Sequence, residues 1–172
     1  STHNALADEV PYPEECGRRS ANDDYSIGVR RDSSGKTVNT RENSVLVGGQ
    51  KGGGKTNFSN VFIARNAETV DGITCVIDLK GDLIEPWVRP YLEHRTERPA
   101  VDWPARTPEQ GIRMCEALIR IGKARAAAAE YARLKRENNT NLLPISEKLP
   151  QLTLFVDEGK GITGGNVRDP EL

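Results

Sequence analysis

The sequence predicts an α/β domain in which helices cover a parallel sheet, with a short β-hairpin ahead of it. Three observations favour this class. Segments 73–77 and 152–156 are apolar, short enough for buried strands, and followed directly by acidic residues. Another apolar run, at 44–47, precedes them, and a segment of helical periodicity separates it from 73–77. Strand, helix and strand in this order form the βαβ unit of parallel sheets.

Size and composition set the outer bounds. At 172 residues the chain is close to the usual size of one domain. Its apolar runs are far shorter than the roughly 20 residues of a membrane span, and no signal peptide is visible. The three cysteines lie far apart without a C-x-x-C pair, which argues against a disulfide framework or a zinc site. We therefore expect a cytoplasmic protein. The net charge of −1 leaves nucleic-acid binding undecided.

The N-terminal part divides into two segments. Residues 1–24 are polar, without sustained periodicity, and are expected to be a lead-in that is partly ordered at best. The domain itself is expected to span 25–172. It opens with strands at 25–30 and 37–40 around the turn-rich segment 32–36, which predicts a β-hairpin.

The next elements follow from apolar periodicity. Residues 44–47 predict a strand, and a helix is expected from near Lys55 until Gly72 breaks it. Residues 73–77 predict a buried strand that ends on Asp78, followed by a proline-rich connection. For the segment 78–81 two interpretations are equally supported. It is either a coupling loop near the nucleotide or a partner subunit, or an ordinary turn that caps the next short helix.

A long helix is expected between that connection and the last strand. Thr107 as N-cap, Pro108 in the first turn and Gln110 at the third position predict its start, and a polar asparagine cluster after Glu137 predicts its end. The apolar residues Ile112, Cys115, Ile119 and Gly122 share one side of it. Its basic residues are interpreted as a solvated face rather than a phosphate-binding stripe. The final strand, 152–156, is expected to be buried.

A glycine-rich motif lies between the first strand and the first helix. It satisfies the Walker A pattern G-x-x-x-x-G-K-[ST], and a chance match anywhere in the chain is on the order of 1%. Glycine lets backbone N–H groups turn inward around phosphates, and the helix that follows presents its positive end. The predicted nucleotide-binding residues are Gly49, Gln50, Lys51, Gly52, Gly53, Gly54, Lys55, Thr56 and Asn57.

Within this motif, Lys55 is expected to reach the β- and γ-phosphates of ATP and to act as a catalytic residue, and Thr56 to ligate Mg²⁺. Asp157 and Glu158 close the last strand in a Walker B arrangement. Asp157 is expected in the Mg²⁺ shell, and Glu158 is expected to orient the attacking water as a second catalytic residue. The alternative is that the strand simply ends in two solvated acids.

Several motifs together resemble the FtsK/SpoIIIE family of DNA-translocating ATPases, especially actinobacterial and plasmid-transfer Tra members. They are segment 44–57, the Val-Ile-Asp-Leu-Lys-Gly of 76–81 with Pro86-Trp87, and Phe-Val-Asp-Glu at 155–158. The resemblance implies a RecA-like P-loop NTPase that assembles into a ring, usually a hexamer. Such a ring uses ATP and Mg²⁺ to pump double-stranded DNA, as in chromosome segregation or conjugation, and it can be tethered by a membrane anchor elsewhere in the full-length protein.

A complete RecA-like sheet needs further strands after the Walker B strand, so the sequence predicts a domain that is incomplete at its C-terminus. Two other functions stay open. Type VII secretion ATPases share the superfamily and move protein instead of DNA. The third interpretation is an assembly module that binds a nucleotide without hydrolysing it, because the sequence offers no candidate for an arginine finger or a sensor residue.

Overall fold

The computed structural model describes most of the chain, namely residues 18–29, 34–41, 43–50, 52–140 and 142–157. These residues fall into two compact units. The first contains the described residues up to 74 and those from 145 to 153, and the second contains the described residues of 75–144 and of 154–157. The predicted α/β class is confirmed, since a three-stranded parallel sheet is flanked by helices. None of the described helices is long and apolar enough to span a bilayer.

The predicted hairpin is present in the first unit. β1 (Tyr25–Val29) pairs antiparallel with β2 (Gly35–Val38), and Tyr25 lies opposite Val38. The Tyr25 side chain is buried, and burial raises the pKa of its hydroxyl, which keeps it protonated as a hydrogen-bond donor. The hairpin is thus anchored by one aromatic side chain at its start.

Helix α1 (Lys55–Ala67) and strand β3 (Gly72–Asp78) confirm the predicted helix and buried strand. Phe62 and Ile63 of α1 are buried in the first unit. The apolar residues at the centre of β3, 75–77, are fully inaccessible to solvent, as expected for a strand covered on both faces.

A buried asparagine links three segments of the first unit. Asn66 is 1% exposed, and its amide nitrogen donates to the Thr74 hydroxyl over 2.7 Å. Its amide oxygen accepts from the hydroxyls of Tyr25 and Thr153, each over 3.2 Å. Because every polar atom of this buried side chain has a partner, the cost of burying the amide is offset.

Residues 18–24, which the sequence assigned to the lead-in, are hydrogen-bonded into the first unit. The carboxylate of Asp71 accepts from the Ser20 hydroxyl and from the Ala21 N–H, both over 2.6 Å. The Val70 N–H donates to the Arg19 carbonyl over 2.9 Å. Ala21 is fully buried, so these residues are part of the packed structure. Residues 1–17 lie outside the described part of the chain.

Gly72 stands where two buried polar side chains leave no room for a Cβ atom. A methyl group there would collide with the Thr69 hydroxyl and lie 3.3 Å from the Asn66 amide oxygen. The Thr69 hydroxyl is itself buried and donates to the Asn66 carbonyl over 2.7 Å, so it cannot move without losing that bond.

We therefore expect Gly72→Ala to lower the free energy of unfolding by about 2 kcal/mol, measured by urea denaturation. Gly48→Ala is the matched control, because a Cβ at exposed Gly48 meets no atom within 4 Å. Equal unfolding midpoints for the two variants would contradict the packing argument.

The sheet has the strand order β4-β3-β5, with β4 formed by Trp103–Ala105 and β5 by Gln151–Asp157. β4 pairs parallel to β3, with Val76 opposite Pro104. The sequence had placed Trp103 and Pro104 in a connection. Proline lacks an N–H and is accepted in a strand at a sheet edge, which is where β4 lies among the described strands.

Two strand predictions need correction. Residues 44–47 form no strand, and Val45, Leu46 and Val47 are 47%, 98% and 37% exposed. The expectation that the last strand is buried is also wrong, because Leu154 and Val156 of β5 are 38% and 47% exposed. A segment rich in apolar and β-branched residues forms a buried strand only where a neighbouring strand supplies hydrogen bonds and other side chains pack against its apolar face.

The helices of the second unit differ partly from the prediction. The proline-rich connection contains a helix, α2 (Glu85–Leu92), with Pro86 in its first turn and Pro90 near its end. The predicted long helix is two helices, α3 (Pro108–Ala127) and α4 (Ala129–Glu137), because Ala128 adopts an extended conformation with ψ 126°. Nothing in the alanine-rich sequence around Ala128 explains the break.

The ends of that helical region were predicted correctly. The Gln110 N–H donates to the Thr107 hydroxyl over 3.3 Å, so Thr107 is the N-cap of α3. The Gln110 side chain accepts the Arg106 N–H over 2.7 Å, one residue earlier than in a standard capping box. α4 ends at Glu137, where the polar cluster begins.

Candidate nucleotide-binding site

The start of α1 has no side-chain cap. Its N-cap is Gly54, whose φ of 81° lies in the left-handed region that favours glycine. No side chain accepts a hydrogen bond at this cap, and the first turn contains no acidic residue. The positive end of a 13-residue helix is therefore not compensated by an anionic side chain of its own first turn.

Lys55 folds back over the loop that precedes it. Its ammonium group donates to the carbonyl oxygens of Gly49 and Gln50 over 2.8 Å and 2.9 Å. The Gly53 N–H donates to the Gln50 carbonyl over 3.0 Å, which closes a turn across the loop. The loop is thus curled around the lysine head group.

The loop is open on its outer side. A Cβ atom built on Gly52 or Gly54 meets no heavy atom within 4 Å, and both glycines are exposed. Thr56 and Asn57, on the first turn of α1, are exposed as well. Among the described residues, this part of the loop and the first turn of α1 are therefore open to solvent.

The other predicted site residues are placed less completely. Lys51 and Glu158 lie outside the described residues. Asp157 is half-buried at the end of β5. The glycine loop belongs to the first unit and Asp157 to the second, and each is described within its own unit. In the described part of the chain, no group of three or more His, Cys, Asp or Glu side chains could hold a metal ion.

Asp78 has a role that the sequence left undecided. Its carboxylate is 1% exposed and accepts four backbone N–H groups of the turn that follows β3. The donors and distances are Lys80 at 3.0 Å, Gly81 at 2.9 Å, Leu83 at 2.7 Å and Ile84 at 3.2 Å. Four donors occupy the lone-pair directions of a carboxylate, so Asp78 is a structural cap of the turn that leads into α2.

The charge on Asp78 is stabilised by the same contacts. Burial alone would raise the pKa of this carboxyl group, but the four backbone N–H groups outweigh it and hold the pKa below its usual range. The carboxylate is therefore ionised at neutral pH although it is buried. An Asp with a Gly three residues later was the only sequence signal for this arrangement.

Comparisons with known proteins return no match: no family model, no curated protein and no solved structure is similar to this chain.

Proposed function

We propose that this chain is an ATP-binding and ATP-hydrolysing domain whose phosphate site is the loop from Gly49 to Thr56. One observation carries the proposal. The loop ends in a left-handed glycine at the uncapped start of α1, and the following lysine holds its ammonium group against the loop's own carbonyls. A helix N-terminus without a side-chain cap, next to a lysine, is a favourable place for bound phosphates.

Lys55 is the residue that responds to the ligand. Its two hydrogen bonds go to neutral carbonyl oxygens. The charged oxygens of the β- and γ-phosphates would accept stronger hydrogen bonds from the same ammonium group. The ammonium therefore gains by leaving the carbonyls for a triphosphate. The exposed N–H groups of the first turn of α1 would bind the same phosphates.

A magnesium ion fits the exposed hydroxyl of Thr56, which lies on the first turn of α1 beside this loop. In the proposed reaction Mg²⁺ would neutralise charge on the phosphates. The Walker B pattern of the sequence, and no observed contact, assigns two further roles: Asp157 would hold a water of the magnesium shell, and Glu158 would orient the attacking water. Lys55 would hold the transferred phosphoryl group.

The larger activity we propose is translocation of double-stranded DNA by a ring of RecA-like domains. This part rests on the resemblance of the motifs in 25–160 to DNA-translocating ATPases, and the α/β class with its parallel sheet is compatible with it. A ring oligomer would place the nucleotide between neighbouring copies. Chromosome segregation and conjugative transfer are the processes that use such motors.

A second candidate, nucleotide binding without turnover, is favoured by one observation. The segment 44–47 before the loop is exposed and forms no strand, so the loop lacks the rigid strand that normally leads into it. A loop held only at its helix end can bind phosphates without aligning a water for attack.

Phosphate release from ATP, measured with and without linear duplex DNA, separates these functions. A DNA motor is expected to hydrolyse ATP severalfold faster with duplex. Hydrolysis that duplex leaves unchanged would contradict DNA translocation while retaining the ATPase. Binding by calorimetry with no phosphate release at high protein concentration would favour the assembly module.

A further inference from the structure

Helix α3 carries an apolar strip on the side that does not face the core of the second unit. Its buried residues are Gly111 and Met114. A different set, spaced three and four residues apart, lines another side of the helix and is called the α3 strip here. It consists of Ile112, Cys115, Ile119, Gly122 and Ala126.

The α3 strip is accessible to solvent within the described part of the chain. Ile112 and Ile119 are 51% and 58% exposed, and a Cβ at Gly122 would meet no atom within 4 Å. Cys115 is a half-buried free thiol, and Ala126 is exposed. Isoleucine side chains with this much solvent exposure, lined up on one side of a helix, indicate a surface that binds another molecule.

The sizes of these residues fit a second α3 strip in antiparallel orientation. If Ile119 packs opposite Gly122 of the other copy, the same register puts Cys115 opposite Ala126. Each layer then joins a larger side chain to a smaller one, so the two backbones can approach closely along the strip. Helical pairs with apolar residues at spacings of three and four pack in this way, knobs into holes.

The charges beside the strip select the same register. Glu116 and Lys123 are both exposed and lie on the same flank of α3, seven residues apart. In the antiparallel register Glu116 of one copy lies beside Lys123 of the other, and the two-fold symmetry forms this pair twice. Neither side chain has an ion-pair partner among the residues that the structure describes. A parallel arrangement places no opposite charge beside either residue.

We infer that the α3 strip is a contact between two copies of this chain, related by a two-fold axis, with the helices antiparallel. In this register the paired part of the strip runs from Cys115 to Ala126 and is about 17 Å long. The buried area is therefore below the roughly 800 Å² per partner of a standard interface, and the dimer is weak. Such a contact is isologous and closes at two copies, so it is distinct from the head-to-tail contacts of a ring.

Sedimentation velocity from about 5 to about 200 µM protein, without nucleotide or DNA, tests this contact. The wild-type protein is expected to shift from monomer to dimer across the range. Ile119→Glu is expected to weaken the dimer at least about tenfold, because it puts a charge in the centre of the strip. A protein that stays monomeric throughout would overturn the inference.

Charge exchange gives the sharper test. Glu116→Lys and Lys123→Glu are each expected to weaken the dimer, whereas the double variant restores it, because the pair is formed again with its signs reversed. Arg120→Glu, an equal charge change on exposed α3 outside the strip, is the control and is expected to leave the dimer unchanged. A double variant no tighter than the singles, or a control as weak as Lys123→Glu, would overturn the register.

Discussion

Lys55→Ala is expected to lower the affinity for ATP by about 100-fold or more and to abolish hydrolysis. In the proposed complex the ammonium exchanges two carbonyl contacts for charged phosphate oxygens, and losing such charge-assisted bonds costs about 3 kcal/mol. The stability of the fold should change by less than about 1 kcal/mol, since Lys55 lies at the surface of the loop. Calorimetric titration with ATP and urea denaturation measure the two quantities.

Two variants control this result. Lys36→Ala removes an exposed lysine of β2 in the same unit and is expected to leave ATP affinity unchanged. Glu158→Gln is expected to bind ATP normally while losing hydrolysis, because it removes only the group that accepts the proton from water. Wild-type affinity in Lys55→Ala would show that the loop is not the phosphate site.

Asp78→Asn is expected to destabilise the protein by about 3 kcal/mol at neutral pH. The asparagine keeps the shape of the side chain but loses the charge and turns an NH₂ group toward backbone N–H donors. One oxygen of Asp78 accepts from Lys80 and Gly81 and the other from Leu83 and Ile84. Whichever oxygen the NH₂ group replaces, two backbone N–H donors of the turn lose their acceptor. Urea denaturation measures the effect. Asp82→Asn, in the same turn but exposed, is the matched control and should cost less than about 0.5 kcal/mol.

The same residue predicts a pH dependence. The pKa of Asp78 is lowered in the folded protein, so its contribution to stability is complete above the unfolded-state value of about 4. That contribution is lost as the pH falls below about 4 toward the lower folded-state pKa. The difference between the wild type and Asp78→Asn should therefore shrink in acid. A difference that stays constant from pH 7 to about pH 3 would contradict this role of the charge.

Local signals predicted the elements whose stabilising groups are adjacent in sequence. The cap at Thr107, the start of α1 at Lys55 and the end of β3 at Asp78 each depend on residues within a few positions, and the structure confirms all three. The hairpin was predicted for the same reason. At the candidate site, Gly52 and Gly54 have positive φ, a conformation that glycine favours, whereas phosphate binding by the loop stays a prediction.

The remaining features depend on groups far away in sequence. Residues 44–47 have strand composition, but no described strand pairs with them. Prolines at positions 86, 90 and 104 indicated a connection, although a helix start and a sheet edge also accept proline. The apolar side of α3 was visible in the sequence, yet the periodicity could not show that the core lies against Gly111 and Met114 instead.

The two edge strands of the parallel sheet differ in how readily another strand can pair with them. β4 has only three residues, and Pro104 at its centre offers no N–H to a new neighbour. β5 has seven residues with no proline, no charge before its last position, and exposed Leu154 and Val156. Among the described strands, β5 is therefore the side on which another strand can add, whether it comes from the same chain or from another. The sheet is extensible in one direction, away from Pro104.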